Sequence, residues 1–164
     1  MAQIDIKDCV ISVEDGSTPA NSIDVKIGEG NLTYSEKVNR EYTKDRGLLD
    51  IVRDGDEEAV ELRIDATWEY IKEDSGQTPT IEDALKARGG ASDWVSVDAD
   101  ACQPYAVDII LVYSPDCTSD DAETLTFSEF RYEQIDHDLR AGTLSMSGKC
   151  NITQPTSTRV AQSS

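Results

Sequence analysis

A period of two dominates this chain, and helical spacing is rare. Ile4 and Ile6 alternate with Gln3, Asp5 and Lys7, and Cys9, Ile11 and Val13 carry the apolar parity onward. Gly16 to Pro19 has the composition of a turn. In Ser22-Ile23-Asp24-Val25-Lys26-Ile27 the apolar residues fall at odd positions. After Gly28-Glu29-Gly30 they fall at even ones, Leu32 and Tyr34. A change of parity across two glycines predicts a β-bulge or a sharp bend, because one inserted residue sends later side chains to the other face. Leu62, Ile64, Ala66, Trp68 and Tyr70 form the cleanest apolar stripe. The opposite face of that predicted strand carries Glu61, Arg63, Asp65, Thr67 and Glu69.

The spacing predicts one helix, over residues 80–89. Thr80 can cap it with Asp83 at the box position, acids occupy the first turn and bases the last, and Gly89 can supply a left-handed stop. Trp94, Val95 and Val97 read as a short strand, and Tyr105 to Tyr113 as a central strand buried on both faces. Leu125 and Phe127, then Phe130 and Tyr132, change parity at Ser128-Glu129. Leu144, Met146, Cys150 and Ile152 mark the last strand, and residues 154–164, with no aliphatic pattern, are expected to fray. The elements predict a mainly β fold: a single sandwich or barrel-like domain over residues 1–153, with one flanking helix.

Residues 37–58 hold no clean period and read as a long inter-strand loop, closed by the turn-forming Asp54-Gly55-Asp56-Glu57-Glu58. Loops beyond about 12–15 residues in a compact domain are usually functional. Leu48, Leu49, Ile51 and Val52 lie in this one, and an exposed apolar cluster calls for a partner surface. Charge sharpens the contrast. The chain has 15 Lys and Arg against 33 Asp and Glu, a net charge of -18. From Lys37 to Arg53, however, five bases (Lys37, Arg40, Lys44, Arg46 and Arg53) meet three acids (Glu41, Asp45 and Asp50), a net charge of +2. A basic arm on an acidic body suggests a subunit that attaches to copies of itself. The overall charge argues against a direct grip on nucleic-acid phosphates, which needs clustered Lys and Arg.

Candidate chemistry is sparse. His137 is the one histidine, with no nucleophile elbow to serve, and reads as a solvated residue. The four cysteines lack metal-ligand spacing. Residues 116–121 offer carboxylates that could hold calcium, but without the EF-hand glycine and terminal glutamate, and a solvated loop is the plainer reading. Gly28-Glu29-Gly30 precedes no helix, and Glu29 would repel an anion. No apolar run is long enough to span a bilayer and no secretory leader pattern is visible, so reduced thiols and folding in a cytoplasm are expected. No cofactor and no enzymatic activity are expected.

Lys26-Ile27-Gly28-Glu29-Gly30-Asn31-Leu32-Thr33-Tyr34, Asn39-Arg40-Glu41-Tyr42, Asp45-Arg46-Gly47-Leu48-Leu49-Asp50, Arg53-Asp54-Gly55-Asp56 and Thr67-Trp68-Glu69-Tyr70 resemble the tail tube (major tail) proteins of long-tailed bacteriophages. The resemblance is strongest over about residues 22 to 71. It implies a β-sandwich with a flanking helix, in rings, commonly hexameric, that stack into a hollow tube for genome ejection. It also implies a long loop between inner strands that reaches the adjacent ring. Lys37, Arg40, Lys44, Arg46, Leu48, Leu49, Ile51, Val52 and Arg53 are then the expected inter-ring contacts. Asp24, Lys26, Glu61, Arg63, Asp65 and Glu69 are the expected lining of the channel. The implied partners are copies of the chain, other tail components and double-stranded DNA that passes without specific binding, with no membrane. The implied location is the virion tail, assembled in the host cytoplasm. The alternative from another class is an acidic DNA mimic that inhibits a nucleic-acid enzyme, which has no need of the arm.

Overall fold

A computed structural model describes residues 4–68, 79–115 and 120–162. The strands are β1 (Cys9–Glu14), β2 (Ser22–Asp24), β3 (Asn31–Ser35), β4 (Val38–Asp45), β5 (Leu48–Glu57), β6 (Val60–Thr67), β7 (Val107–Tyr113), β8 (Ala122–Asp138), β9 (Thr143–Cys150) and β10 (Thr156–Val160). Among the described residues one α-helix, α1 (Ile81–Lys86), lies between β6 and β7. Every strand pair is antiparallel. The main sheet runs β2-β1-β7-β8-β9-β6-β3 with β10 added to β8, while β4 and β5 form a separate two-stranded ribbon. The fold is mainly β with one helix, as the period of two predicts.

The long strand β8 divides the sheet. Its first part pairs with β7 and, on its other edge, with β10; from Phe130 onward it pairs with β9. The bend sits at the predicted parity change. Glu129 takes φ +56°, the register with β7 slips between Val107 and Ile109, and the Glu129 N–H donates to Asp108 Oδ1 at 3.2 Å. The two halves face each other, since the Tyr34 ring of β3 meets Phe127 of β8 edge-on with centroids 4.8 Å apart. Ile11, Val13, Ile109 and Phe127 come from one half of the core, and Leu62, Ile64 and Met146 from the other.

The segment after β2 crosses between the halves. The Val25 N–H donates to the Ile11 carbonyl, while the Lys26 carbonyl accepts from Thr67 N–H at the end of β6. The expected strand over residues 22–27 therefore stops at Asp24. The parity change at Gly28-Glu29-Gly30 is a turn, with Gly28 at φ +61°. A Cβ on Gly30 would collide with the Asp65 carbonyl, so the close approach of this turn to β6 requires glycine.

In α1 the capping box forms as expected: Thr80 Oγ1 accepts from Asp83 N–H at 3.2 Å, and Asp83 Oδ2 accepts from Thr80 N–H at 3.3 Å. The helix is shorter than residues 80–89 because Ala87 already turns left-handed, with φ 51°. It buries Ile81, Ala84 and Leu85.

Four other expectations are corrected. Residues Ile6–Asp8 form a 3-10 turn, because Asp5 caps it by accepting from Lys7 N–H. Residues 94–97 are irregular, held instead by Gly16 N–H to the Val95 carbonyl and Val97 N–H to the Ala106 carbonyl. Residues 38–57 are a hairpin rather than a structureless loop. Residues 156–160 are a strand rather than a frayed tail, because the free edge of β8 offers them a ladder.

Candidate assembly surfaces

The hairpin is built locally. Arg46 and Gly47 between β4 and β5 both have positive φ, 53° and 82°, the backbone that a two-residue turn needs to match strand twist. Gly47 meets that need without a Cβ penalty. Asn39 braces the base: its Nδ2 donates to the Asp56 carbonyl at 2.8 Å and to Glu58 Oε1 at 3.0 Å. The ribbon pairs only with itself, and Val38, Tyr42, Leu48, Leu49, Ile51 and Val52 are all exposed. Leu48 and Leu49 are 74% and 71% accessible, so the tip buries neither leucine in its own chain. Tyr42 faces Val52 across the ladder and Thr43 faces Ile51, so apolar side chains lie on both faces.

The ladder also sorts the arm's charges. Arg40 pairs with Asp54, and Glu41 stands opposite Arg53. With bounds at Val38 and Glu57, the hairpin takes in Asp54, Asp56 and Glu57, which lie beyond Arg53. Its four bases then meet six acids. The hairpin is not a basic unit. Its distinguishing property is apolar exposure: six of the thirteen exposed large hydrophobic residues among those described sit on it. Lys44 and Arg46 remain near the tip, and Lys37 precedes β4.

The second surface is the outer face of the β3-β6-β9-β8 half. Along β6, Leu62, Ile64 and Ala66 point into the core and Glu61, Arg63 and Asp65 point out, as the stripe predicts. Trp68 is only half-buried, and its ring lies 4.9 Å from that of His137. The register places Ser35, Thr33 and Asn31 beside Glu61, Arg63 and Asp65 on one side. On the other side stand Lys149, Ser147 and Ser145. The result is a shallow polar groove of about 650 Å³, lined in part by Thr33, Glu61, Arg63, Gln134, Ser147 and Lys149.

Asp24 is not on this face. It pairs with Ser12 of β1, because the strand beside β6 is β3. Lys26 meets β6 through its carbonyl, which accepts from Thr67 N–H at 3.0 Å. Glu69 and Tyr70 lie outside the described residues. Lys149, Ser145, Ser147 and Gln134 are members of the face that sequence reasoning missed; the alternation Leu144-Ser145-Met146-Ser147 was the available signal. Electrostatically the face is mixed: Arg63 Nε sits 3.3 Å from Asp65 Oδ1 and Lys149 Nζ 4.0 Å from Glu61 Oε1.

Away from both surfaces, two carboxylates are held in place. Asp15, 4% exposed, accepts from the N–H groups of Ser17, Asn21 and Val95 and from the Ser17 hydroxyl and Asn21 amide. Burial pushes its pKa up, but these hydrogen bonds together outweigh burial and hold it at about 2. Glu82 on α1 is also buried. Against that burial, hydrogen bonds from Lys86 and His137 and the charges of Lys86 and Arg88 lower its pKa. His137 is exposed, as expected of a solvated residue, and its Nε2 also reaches Glu82 of α1 at 3.1 Å. Among the described residues no cluster of three His, Cys, Asp or Glu side chains could hold a metal, and residues 116–119 of the calcium candidate lie outside them.

No protein-family model matches the sequence, and no curated protein is similar to it. A solved structure does share its fold. A chain from the cryo-EM structure of an extracellular contractile injection system, the PVC sheath/tube terminator in the extended state, superposes with a TM-score of 0.56 at 10% identity. The match covers 96% of this chain and 98% of that one. A chain from the cryo-EM structure of the anti-feeding prophage baseplate, 6-fold symmetrised, gives a TM-score of 0.48 at 9% identity over 96% and 97% of the two chains.

Proposed function

We propose that this chain is a structural subunit of a phage tail tube, which self-assembles into stacked rings around a channel for DNA. The observation that carries the reading is the β4–β5 hairpin: a ribbon outside the main sheet, with exposed apolar side chains on both faces and no strand among the described residues paired to it. An isolated two-stranded hairpin is marginally stable in water, and exposed apolar side chains on one are stabilised by a second surface. The fold shared with a chain of a contractile injection system, and the likeness of residues 22–71 to tail tube proteins, support the same reading. The inter-ring contacts are apolar in the first place (Leu48, Leu49, Ile51 and Val52), with Lys37, Lys44 and Arg46 as the bases free of the Arg40–Asp54 and Glu41–Arg53 pairings. The channel wall is the Glu61-Arg63-Asp65 face with its β9 neighbours. An acidic DNA mimic has no use for a projecting apolar ribbon.

The test is electron microscopy of the concentrated protein beside a variant carrying Leu48→Ser and Leu49→Ser. Rings or tubes from the parent and folded monomers from the variant are the expected result. Monomers from the parent at every concentration would overturn the reading and favour the mimic.

A further inference from the structure

The strand β10 has no buried side chain. All five residues from Thr156 to Val160 are exposed, whereas β6, β7 and β9 each bury alternate positions. What holds β10 is polar. Its ladder to β8 runs from Thr156 opposite Thr126 to Val160 opposite Ala122. The Ser157 hydroxyl donates to Glu123 Oε1 at 2.6 Å, and Arg159 Nε lies 3.5 Å from the same oxygen. Beyond the strand, Gln162 Nε2 donates to the carbonyls of Pro115 and Asp120 at 3.1 and 3.0 Å. Releasing this strand therefore uncovers little apolar surface, and water can replace its partners.

The edge that β10 covers is different. Residues Ala122–Thr126 belong to a strand whose other edge pairs with β7 and whose inner side packs on the core. Left open, that row of N–H and C=O groups is a template for another strand. An edge that needs a strand, and a strand that needs no core of its own, satisfy the conditions for exchange between copies. The connection permits it. Asn151 is anchored to Glu129 through backbone and side chain, and the Ile152 carbonyl accepts from Val60 N–H. The free hinge is thus residues 153–155, ending in Pro155, which cannot donate to a ladder.

We infer that β10 is an exchangeable strand: in the assembled protein, Thr156–Val160 of one copy completes the β8 edge Ala122–Thr126 of a second copy. The occupant is specified by the pairing. A strand of the same sequence restores every backbone pair and again brings a serine hydroxyl and a guanidinium to Glu123. The inference rests on the proposed self-assembly, since contact between copies supplies the local concentration at which a neighbour's strand competes with the chain's own.

Thr124 and Thr158 stand directly opposite each other, as do Thr126 and Thr156, within reach of a disulfide after modest adjustment. Chains bearing Thr124→Cys and chains bearing Thr158→Cys, each with its own tag, are expressed together with Cys9, Cys102 and Cys117 replaced by serine. Cys150 can stay, because it is fully buried and burial, with Asp108 nearby, pushes its thiol up to about 12. The Thr126/Thr156 pair is run in parallel, and chains with both substitutions of a pair serve as the geometric control. Mixed disulfide dimers carrying both tags, from either pair after mild oxidation of the concentrated protein, are the expected result. If the control chains close their disulfide within one monomer and no mixed dimer forms, the exchange is overturned. Electron microscopy of the same samples reports separately on tubes, so tubes without mixed dimers defeat the exchange and leave the proposed function standing.

Discussion

Asp15 is the residue on which the end of β1, the turn at 16–21 and the irregular segment at 94–97 converge. Its sign with pH is fixed by the direction of its shift. The folded pKa of about 2 lies below the unfolded value of about 3.9. Its contribution is therefore complete above the unfolded pKa and lost as pH falls through the folded one. The difference corresponds to about 2–3 kcal/mol. The parent's stability against chemical denaturation should fall between pH 4 and 2 by about 2 kcal/mol more than that of an Asp15→Asn variant, whose amide cannot titrate. Equal acid sensitivity in both proteins would remove Asp15 from the account. A second residue-scale prediction concerns Gly30. An Ala there must push against the Asp65 carbonyl, which is backbone and cannot rotate away. Gly30→Ala should cost about 1–3 kcal/mol, read as a lower denaturation midpoint at unchanged m-value. The sequence marked Gly28 and Gly30 through the parity change around them. It carried no mark for Asp15, whose role depends on Val95, far along the chain.

At the scale of elements, what was legible follows from what each element buries. The strand β6 shows a strict alternation because one face is core and the other is not, and β8 shows its bend because the apolar parity changes at Glu129. The hairpin and β10 were invisible for opposite reasons. In β4 and β5, register shifts between Val38 and Arg40 and between Thr43 and Lys44 break the period twice, and neither face is selected for burial. In β10 the single apolar residue, Val160, leaves nothing to alternate, and backbone pairing with the Ser157 and Arg159 contacts to Glu123 makes the strand. The window from Lys37 to Arg53 looked basic because it took in Lys37, which precedes β4, and stopped short of Asp54, the partner of Arg40, and of Asp56 and Glu57. That correction changes the expected variants. Arg40→Glu would set a carboxylate against Asp54 and disturb the hairpin itself. Leu48→Ser with Leu49→Ser leaves the monomer's contacts nearly intact, so its stability should stay within about 0.5 kcal/mol of the parent while assembly is lost. Sedimentation and thermal melting, measured together, separate the two effects. Hydrogen exchange makes a further check: amides of 38–57 should exchange quickly in the monomer and slowly after assembly. Equal protection in both states would mean that the hairpin is not covered.

At the scale of the whole molecule, the proposed assembly requires a chain of net charge -18 to approach its own copies. If the contact were mainly a basic arm on an acidic body, salt would weaken it. If the contact is mainly apolar, salt screens the repulsion between bodies and assembly should persist or strengthen toward about 1 M, where the Debye length is about 3 Å. The same reasoning bears on the channel. The face proposed to line the channel was legible in β6 alone, as a row of acids with one base. The register with β9, which no local pattern reveals, adds Lys149 beside Glu61, while Arg63 stays beside Asp65. The described wall is therefore a mixed polar surface rather than a uniformly negative one, and each base has a carboxylate within 4.0 Å to compete with phosphate. As the proposed channel wall, this face would repel DNA weakly and, among the described residues, offer it no unpaired cation. Replacing Glu61 and Asp65 with Lys removes both carboxylates, frees Arg63 and Lys149, and adds two cations per copy without touching a buried group. Each ring repeats the change, so the effect on DNA should far exceed that of a single exposed charge. Tubes of the Glu61→Lys, Asp65→Lys variant should retain short duplex DNA at low salt and release it as salt rises, while parent tubes retain none at either. Variant tubes that form normally and still retain no DNA would mean that this face does not line the channel.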